Sequence, residues 1–182
     1  MDERVFITSD WHFMHNRDFV YGPRGFSNTQ EMTSAIIEHY NEVVRPQDHV
    51  YVLGDLMLND NAAGLAAVKQ LKGQIHVIRG NHDTDGRMDL YNNCYNIVEI
   101  VEGKYLVYKG YHFYLSHFPC LCGNFDGDKP LKHRIVSLCG HTHTQDPFLD
   151  WDKGLIFHCE VDSNNCYPWN LDDIIEKIKE KI

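Results

Sequence analysis

The stretch RVFITSDWH, residues 4–12, contains the pattern on which the fold prediction rests. Its apolar run is typical of a short buried strand, predicted at 4–9, and Asp10 and His12 follow where that strand ends. Residues at positions i and i+2 of an extended chain point to the same side, so both side chains can reach one ion. The stretch therefore predicts a strand whose exit carries two metal ligands.

Four further stretches repeat this pattern of an apolar run that leads into side chains able to bind a metal. The predicted strands are 49–53, 74–79, 112–116 and 135–139, and the side chains after them are Asp55, then Asn81, His82 and Asp83, then His117, and finally His141 and His143. Sites in α/β sheets form just beyond the carboxyl ends of strands, so these loops are expected to converge on one point. Gly54, Gly80 and Gly140 allow the sharp turns that this convergence requires.

The spacing of apolar residues elsewhere predicts helices and a second group of strands. Helices are predicted at 27–44, 62–71 and 170–182, and the remaining strands at 97–101, 105–108 and 155–161. Asn28 and Glu31, or Ser27 and Gln30, have the spacing of a cap for the first helix. Strand–helix alternation followed by a run of strands predicts an α/β chain in which a second sheet packs on the first. Since no repeat or linker is visible, we expect one domain over residues 1–182.

Composition limits the class of protein and its partners. The chain has 182 residues, a mean hydropathy of −0.43 and a net charge of −9, from 26 Asp and Glu against 17 Lys and Arg, which is typical of a globular domain. An acidic surface repels nucleic acid and anionic membranes, so a small-molecule partner is favoured over both. The 12 histidines are a surplus, and histidine is the commonest metal ligand among side chains.

Three features favour a cytoplasmic protein. No basic and apolar leader is visible at the N-terminus, and no apolar run approaches the ~18 residues of a membrane-spanning helix. The six cysteines are expected to be free thiols, as in a reducing compartment. The spacing Cys120-x-Cys122 is not one of the usual zinc or redox motifs, so a pair of small side chains in a loop is favoured over a metal or redox role.

The seven ligand-type side chains at the strand exits form a chemically coherent set. They supply oxygen from Asp10, Asp55 and Asn81, and imidazole from His12, His117, His141 and His143. Such a mixture suits Mn, Fe, Zn, Co or Ni and differs from a thiolate zinc site. The set exceeds the needs of one tetrahedral ion, but it can hold two ions that share a carboxylate. Paired ions ~3.5–4 Å apart are used for in-line displacement at phosphorus.

The order of the motifs Asp-x-His, Gly-Asp, Gly-Asn-His-Asp, His and Gly-His-x-His resembles the calcineurin-like metallophosphoesterases, over residues 8–143. The resemblance implies a four-layer α/β/β/α sandwich, in which two mixed sheets pack face to face with flanking helices, and 155–161 can supply a later strand of it. The length of the chain leaves no evident cap domain. One departure concerns Leu56-Met57-Leu58, apolar residues that follow Gly-Asp where many members carry a further polar residue.

The resemblance also implies a role for each residue of the set. One metal would be bound by Asp10, His12 and His143, the other by Asn81, His117 and His141, with Asp55 bridging both. His82 would contact the phosphate and protonate the leaving group, and Asp83 would orient His82 by a hydrogen bond. The cofactors implied are two divalent transition-metal ions, Mn, Fe, Zn, Ni or Co, with Mn favoured. Such ions lower the pKa of a bridging water, and the resulting hydroxide attacks phosphorus in line.

The loop 13–26 is expected to set specificity, because it is rich in aromatic residues, glycine and arginine. Three of its residues are candidates for substrate binding. His15 either touches substrate and the groups around the ligands or is a plain surface residue. Arg17 and Arg24 either grip a phosphate as planar forks or point into solvent. The polar segment 126–129 either rims the site or only connects two strands.

These observations favour a phosphoesterase that hydrolyses a phosphate mono- or diester of a small molecule, of the nucleotide or sugar-phosphate type. Two alternatives stay open. One is a nuclease-type phosphodiesterase whose partner supplies the positive charge that nucleic acid requires. The other is a metal-binding scaffold without catalysis, against which His82 argues because a purely structural metal site has no use for it. The oligomeric state is not predicted.

Overall fold

The strands predicted from the sequence form two sheets in the computed structural model, which describes residues 3–122 and 128–182. In chain order the strands are β1 (Val5–Thr8), β2 (His49–Val52), β3 (Gln74–Ile78), β4 (Ile97–Val101), β5 (Lys104–Tyr108), β6 (Tyr111–Leu115), β7 (Ile135–Cys139), β8 (Ile156–His158) and β9 (Trp169–Asn170). The first sheet has the order β4-β3-β2-β1-β9, in which β1 to β4 are parallel and β9 is antiparallel to β1. The second has the order β5-β6-β7-β8, in which β5 is antiparallel to β6 and the others are parallel. Both sheets are therefore mixed, as expected.

Helices flank the two sheets, and the longer ones lie where the sequence predicts them. In chain order the helices are α1 (Asp18–Tyr21), α2 (Thr29–Val43), α3 (Asn61–Val68), α4 (Asp85–Tyr91), α5 (Trp151–Gly154) and α6 (Leu171–Lys181). The Asn28 side chain accepts a hydrogen bond from Glu31 N at 2.8 Å, and Ser27 N donates to the Glu31 carboxylate at 2.9 Å. Of the two possible caps for α2, the structure therefore uses Asn28 and Glu31. The sequence does not predict α1, α4 and α5, because such short helices establish no clear helical period.

Alternate residues of the first sheet contribute to two apolar cores, one on each of its faces. Phe6 and Val50 are buried together with Met32 of α2, whereas Ile7 is buried together with Phe113 of the second sheet. The C-terminal helix α6 joins this second core through Leu171, Ile174, Ile175 and Ile178. Burial of each such side chain contributes roughly 1.5–3 kcal/mol, so the alternation holds the first sheet between helices and the second sheet. The predicted fold class, two mixed sheets packed together with flanking helices, is confirmed.

The segment after β8 differs from the prediction and crosses toward the end of β1. The strand predicted over 155–161 ends at His158, and Glu160 then forms an isolated bridge with Ser9. The chain continues into a 3-10 turn at Val161–Asn164. This path carries two acidic residues, Glu160 and Asp162, to the edge of the first sheet where the predicted ligands lie.

Features outside this sheet edge contribute less to the predicted site. The six cysteines are free thiols, as expected, and no group of described side chains placed to bind a metal contains one of them, Cys120 and Cys122 included.

Within 3–122 and 128–182, no helix has the length and apolar character needed to cross a bilayer. Asp126 and Gly127 of the polar segment 126–129 lie outside the described residues. That residues 1–182 form one domain without a cap stays a prediction.

Candidate metal centre

The loops that leave the strands are held together at one edge of the sandwich. His12 N donates to Asp55 O at 3.0 Å, which continues the pairing of β1 with β2, and Gly140 N donates to His117 O at 3.0 Å. The third loop approaches equally closely, since a Cβ on Gly80 would lie 2.2 Å from Asp55 Oδ1. Only glycine permits that approach. The convergence expected from strand order is therefore present.

Several of the expected ligands have an unusual backbone conformation. The residues with positive φ include Asp10 (56°), His12 (49°), Asp55 (57°), His141 (75°) and His143 (55°). Non-glycine residues adopt this left-handed region rarely, at a cost of about 1–3 kcal/mol each, and they concentrate at functional sites. The strained turns direct these side chains toward a common point, where the rest of the fold has to hold them.

The first ligand group consists of Asp10, His12 and His143. His12 Nε2 lies 3.1 Å from His143 Nε2, and each of these nitrogens lies 3.6 Å from Asp10 Oδ1. Asp10 Oδ1 is buried and has no hydrogen-bond partner among the described residues. Burial alone would raise the pKa of Asp10, but the nearby imidazoles of His12 and His143 outweigh it and lower the pKa. An ionised, unpartnered oxygen opposite two ring nitrogens is suited to a cation.

The second ligand group consists of Asn81, His117 and His141. Asn81 Oδ1 lies 2.7 Å from His117 Nε2 and 2.9 Å from His141 Nδ1, and these two nitrogens are 3.2 Å apart. On its other side, His117 Nδ1 lies 2.7 Å from Leu53 O. A carbonyl in that position holds the proton on Nδ1 and leaves the Nε2 lone pair directed at the group.

Asp55 lies between the two ligand groups. Its Oδ2 atom is 3.6 Å from His12 Nε2 and 3.6 Å from His117 Nε2, one nitrogen in each group. Its Oδ1 atom accepts a hydrogen bond from His82 N at 2.9 Å. Burial raises the pKa of Asp55, and the charge of Asp10 adds to it beyond what His117 offsets. A divalent cation would reverse that effect, because it favours the ionised carboxylate.

These separations fit divalent ions bound directly by the side chains. Bonds of about 2.0–2.2 Å around one ion place neighbouring ligand atoms about 3 Å apart. The distances between the paired histidine nitrogens, 3.1 Å between His12 and His143 and 3.2 Å between His117 and His141, match this value. Ligand atoms of Asp10, Asp55 and His117 also lie within 4.8 Å of one another, so the two groups are adjacent. The residues present therefore fit two adjacent divalent ions.

His82 lies beside this centre, but Asp83 does not orient it. The His82 side chain is 42% exposed, and its Nε2 atom is 4.0 Å from Asp55 Oδ2. The Asp83 carboxylate is buried and accepts hydrogen bonds from the backbone of Asp55 at 2.7 Å and of Gly80 at 2.9 Å, as well as from the Tyr91 hydroxyl at 2.9 Å. The prediction that the Asp83 carboxylate orients His82 by a hydrogen bond is therefore wrong. Asp83 points inward because α4, absent from the prediction, carries Tyr91 beneath the loop.

Replacing Asp83 by alanine is expected to destabilise the fold by roughly 3 kcal/mol or more, because several buried donors lose a charged acceptor together. The free energy of unfolding in urea measures this effect. Asp85→Ala is the matched control, since its carboxylate is 91% exposed and pairs with Arg79 at the surface. This control is expected to lose less than about 1 kcal/mol. Equal losses in the two variants would contradict the role assigned to Asp83.

The loop residues expected to bind substrate lie in three different environments. His15 is buried, and the centroid of its ring lies 5.2 Å from that of His12 and 6.3 Å from that of His82. His15 therefore adjoins the centre. Burial lowers the pKa of His15 to about 4, with the neighbouring His12 and His82 adding to the effect. His15 is therefore neutral near pH 7. Arg17 is exposed, and its backbone, not its side chain, forms hydrogen bonds with the described residues His15, Val20 and Tyr21.

Arg24 has a different position from that expected of a phosphate-binding arginine. Its side chain is 1% exposed, and its Nη2 atom lies 2.8 Å from Asp162 Oδ2 and donates to Asp10 O at 2.8 Å. The guanidinium is therefore committed inside the protein and is not available to a phosphate. Asp162 Oδ2 also lies 3.3 Å from His143 Nδ1. Arg24 and Asp162 thus support Asp10 and His143 from behind the first ligand group.

A second buried network supports the loop that carries His141 and His143. Glu160 is fully buried, and its Oε1 atom accepts a hydrogen bond at 3.0 Å from the backbone of Thr142, the residue between the two histidines. His158 Nδ1 lies 3.1 Å from Glu160 Oε1, and His158 Nε2 lies 3.0 Å from Asp150 Oδ2. Sequence reasoning misses Glu160, His158 and Asp162 because none of them stands in a motif.

Comparison with known proteins identifies the family to which the chain belongs. The family model described as the calcineurin-like phosphoesterase superfamily domain matches residues 4–158. An uncharacterized protein of Methanocaldococcus jannaschii, MJ1445, is 33% identical over 183 residues, which cover 97% of this chain and 92% of that protein. A protein of unknown function from Aquifex aeolicus, AQ665, has a crystal structure with the same fold. It gives a TM-score of 0.73 at 22% identity, over 96% of this chain and 99% of that one. Given the extent of the family match, the chain belongs to the calcineurin-like phosphoesterase superfamily.

Proposed function

We propose that the protein is a dinuclear metal-dependent phosphoesterase that hydrolyses a phosphate mono- or diester of a small molecule, of the nucleotide or sugar-phosphate type. Family membership supports metal-dependent hydrolysis of phosphoesters. The observation that carries the dinuclear assignment is the position of Asp55, whose Oδ2 atom is 3.6 Å from a nitrogen of each ligand group. A carboxylate shared in this way is suited to two ions bound side by side.

We assign a separate role in hydrolysis to each group around the centre. Two bound divalent ions would supply positive charge for the phosphate oxygens and acidify a water molecule. His82 stands beside Asp55 with its ring partly exposed, and in this proposal it gives a proton to the departing oxygen. Leu56 and Met57 are fully buried, so these two residues after Asp55 offer the substrate no polar side chain.

The metal and the compartment are parts of the same proposal. Nitrogen and oxygen ligands without thiolate suit Mn, Fe, Zn, Ni or Co, and we favour Mn. The free cysteines suit a reducing compartment, and we place the protein in the cytoplasm. The net charge of −9 favours a small phosphoester over long nucleic acid.

The decisive experiment measures metal content and turnover in one preparation. Purified protein loaded in turn with Mn, Ni, Zn and Fe is given p-nitrophenyl phosphate, its bis-ester and a panel of nucleotides. About two ions per chain and turnover of at least one ester class are expected. Metal-loaded protein that hydrolyses neither monoesters nor diesters would refute the proposal and favour the non-catalytic scaffold.

Acid is expected to remove metal from the two ligand groups in sequence, the group with His143 first. Burial would lower the pKa of His143, but the hydrogen bond with Asp162 and the charge of Asp10 outweigh it and raise the pKa. Burial and the neighbouring His117 lower the pKa of His141. Since a histidine ligand must be neutral, a raised pKa lets protons displace the metal at a higher pH.

This order can be read from metal content after dialysis at a series of pH values between about 8 and 5, around the ordinary pKa of histidine. Two steps of metal loss are expected. His143→Ala is expected to abolish the step at higher pH, and His141→Ala the step at lower pH. The reverse assignment would show that the two groups differ for another reason.

A further inference from the structure

Two exposed phenylalanine rings border the metal centre. Phe118 is 49% exposed, and its ring centroid lies 5.0 Å from that of His117 and 4.7 Å from that of His141. Phe19, on α1, is 69% exposed, and its ring lies 5.8 Å from that of His15. One ring therefore adjoins the second ligand group, and the other adjoins the buried histidine next to His12 and His82.

Position distinguishes these two rings from other exposed apolar side chains. Single exposed hydrophobic residues are common on protein surfaces and need no explanation. Tyr95, for example, is 78% exposed, but its hydroxyl donates to Lys69 O at 2.6 Å, away from the ligands. Phenylalanine has no polar atom to bond with water or protein. One such ring beside His117 and His141, and another beside His15, leave apolar area around the centre where substrate has to approach.

The buried position of Arg24 supports the interpretation that the surface beside the metal centre is apolar. Its guanidinium bonds to Asp162 and to backbone carbonyls, so it does not supply a cation for further phosphates or acidic groups of a substrate. The phosphoester itself would be held by the metal centre. The adjoining surface at Phe19 and Phe118 has apolar, aromatic character, which suits a planar ring better than the hydroxyl groups of a sugar.

We propose that Phe118 and Phe19 bind the base of a nucleotide, so that the substrate is a nucleotide and not a sugar phosphate. This inference rests on the proposed phosphoesterase function and narrows its substrate class. Stacking of a base on an aromatic side chain is worth about 1–3 kcal/mol by alanine substitution, which corresponds to roughly a tenfold change in affinity for one ring.

The test compares AMP with ribose 5-phosphate, which carries the same phosphoester without the base. Calorimetry on the manganese-loaded protein gives the ratio of the two dissociation constants, and phosphate release from both compounds is followed in parallel. Alanine variants of Phe118 and Phe19 are expected to reduce the preference for AMP roughly tenfold each. Phe118→Tyr is expected to keep it, because the ring is retained, and Phe118→Leu to lose it. Tyr95→Ala is the control for removal of an exposed ring elsewhere.

The outcomes separate this inference from the function on which it rests. Equal binding of AMP and ribose 5-phosphate by the unaltered protein, or a preference that persists in both alanine variants, overturns the role of the two rings. If turnover is seen in that case, the phosphoesterase function stands. Binding of AMP that depends on Phe118, without turnover of any ester, supports the base site and refutes the proposed catalysis. If Phe118 has only a structural role, its replacement weakens the binding of AMP and of ribose 5-phosphate equally, and that result also overturns the inference.

Discussion

Replacing Asp55 by asparagine is expected to lower kcat/KM for phosphoester hydrolysis by about 10³-fold or more, the equivalent of about 4 kcal/mol of transition-state stabilisation. The reason is its position between the ligand groups, 3.6 Å from both His12 Nε2 and His117 Nε2. An amide carries no charge, so its oxygen does not offset the repulsion between two adjacent cations as a carboxylate does. Metal analysis of the purified variant is expected to find about one ion per chain in place of two.

Asp60→Asn is the matched control for this variant. It makes the same chemical change on the same loop, at an exposed residue whose side chain caps α3 by accepting a hydrogen bond from Ala63 N at 3.0 Å. Asparagine caps helices as well as aspartate does, so metal content and kcat/KM are expected to stay at the level of the unaltered protein. Retention of both ions in Asp55→Asn would show that Asp55 does not bridge them.

Replacing His82 by alanine is expected to lower kcat by about 10²–10⁴-fold while the metal content stays unchanged. The His82 ring stands beside the ligand groups without belonging to either, and its backbone N–H, which donates to Asp55 Oδ1, is retained in alanine. A group that protonates the leaving oxygen matters less when that oxygen departs easily as an anion. The loss is therefore expected to be smaller for p-nitrophenyl phosphate than for an alkyl phosphate.

The loss of kcat in His82→Ala would not depend on the leaving group if His82 had only a structural role. His39→Ala removes a histidine from α2, where its ring stacks on Tyr167 at 4.2 Å, and is expected to change neither kcat nor the leaving-group ratio. Loss of metal from His82→Ala, or an equal loss of kcat with both esters, would contradict proton donation by His82.

The residues that follow the strands could be predicted from the sequence because each set is marked by a pattern within a short segment. A short apolar run followed by Asp10 and His12, or by His141 and His143, needs no knowledge of the rest of the chain. Parallel pairing of β1, β2 and β3 then brings such exits to one edge of the sheet. The structure brings together the side chains that the resemblance assigns to each metal, and their binding of metal stays a prediction.

The contacts that support the ligand groups could not be predicted from the sequence because they join distant parts of the chain or depend on a short helix. Arg24 and Asp162 are 138 residues apart, and only the path of the chain after β8 makes them neighbours. The expectation for Arg24 failed for this reason, since a solvent-facing loop was assumed where the guanidinium is buried. The expectation for Asp83 failed because α4 is too short to predict, and it is α4 that supplies Tyr91.

The sequence alone determines which ligand-type residues follow the strands, because residue types and their spacing after apolar runs are properties of short segments. It also determines that strands alternate with helices and lead to a second sheet. Tertiary structure decides how the ligands are held in strained turns, by Asp83, Glu160 and Asp162 from beneath. It also decides which side chains are exposed beside the centre, since Arg24 is buried whereas Phe19 and Phe118 are exposed. The physical reason is that burial and charge pairing depend on packing between segments remote in the chain, which no local pattern encodes.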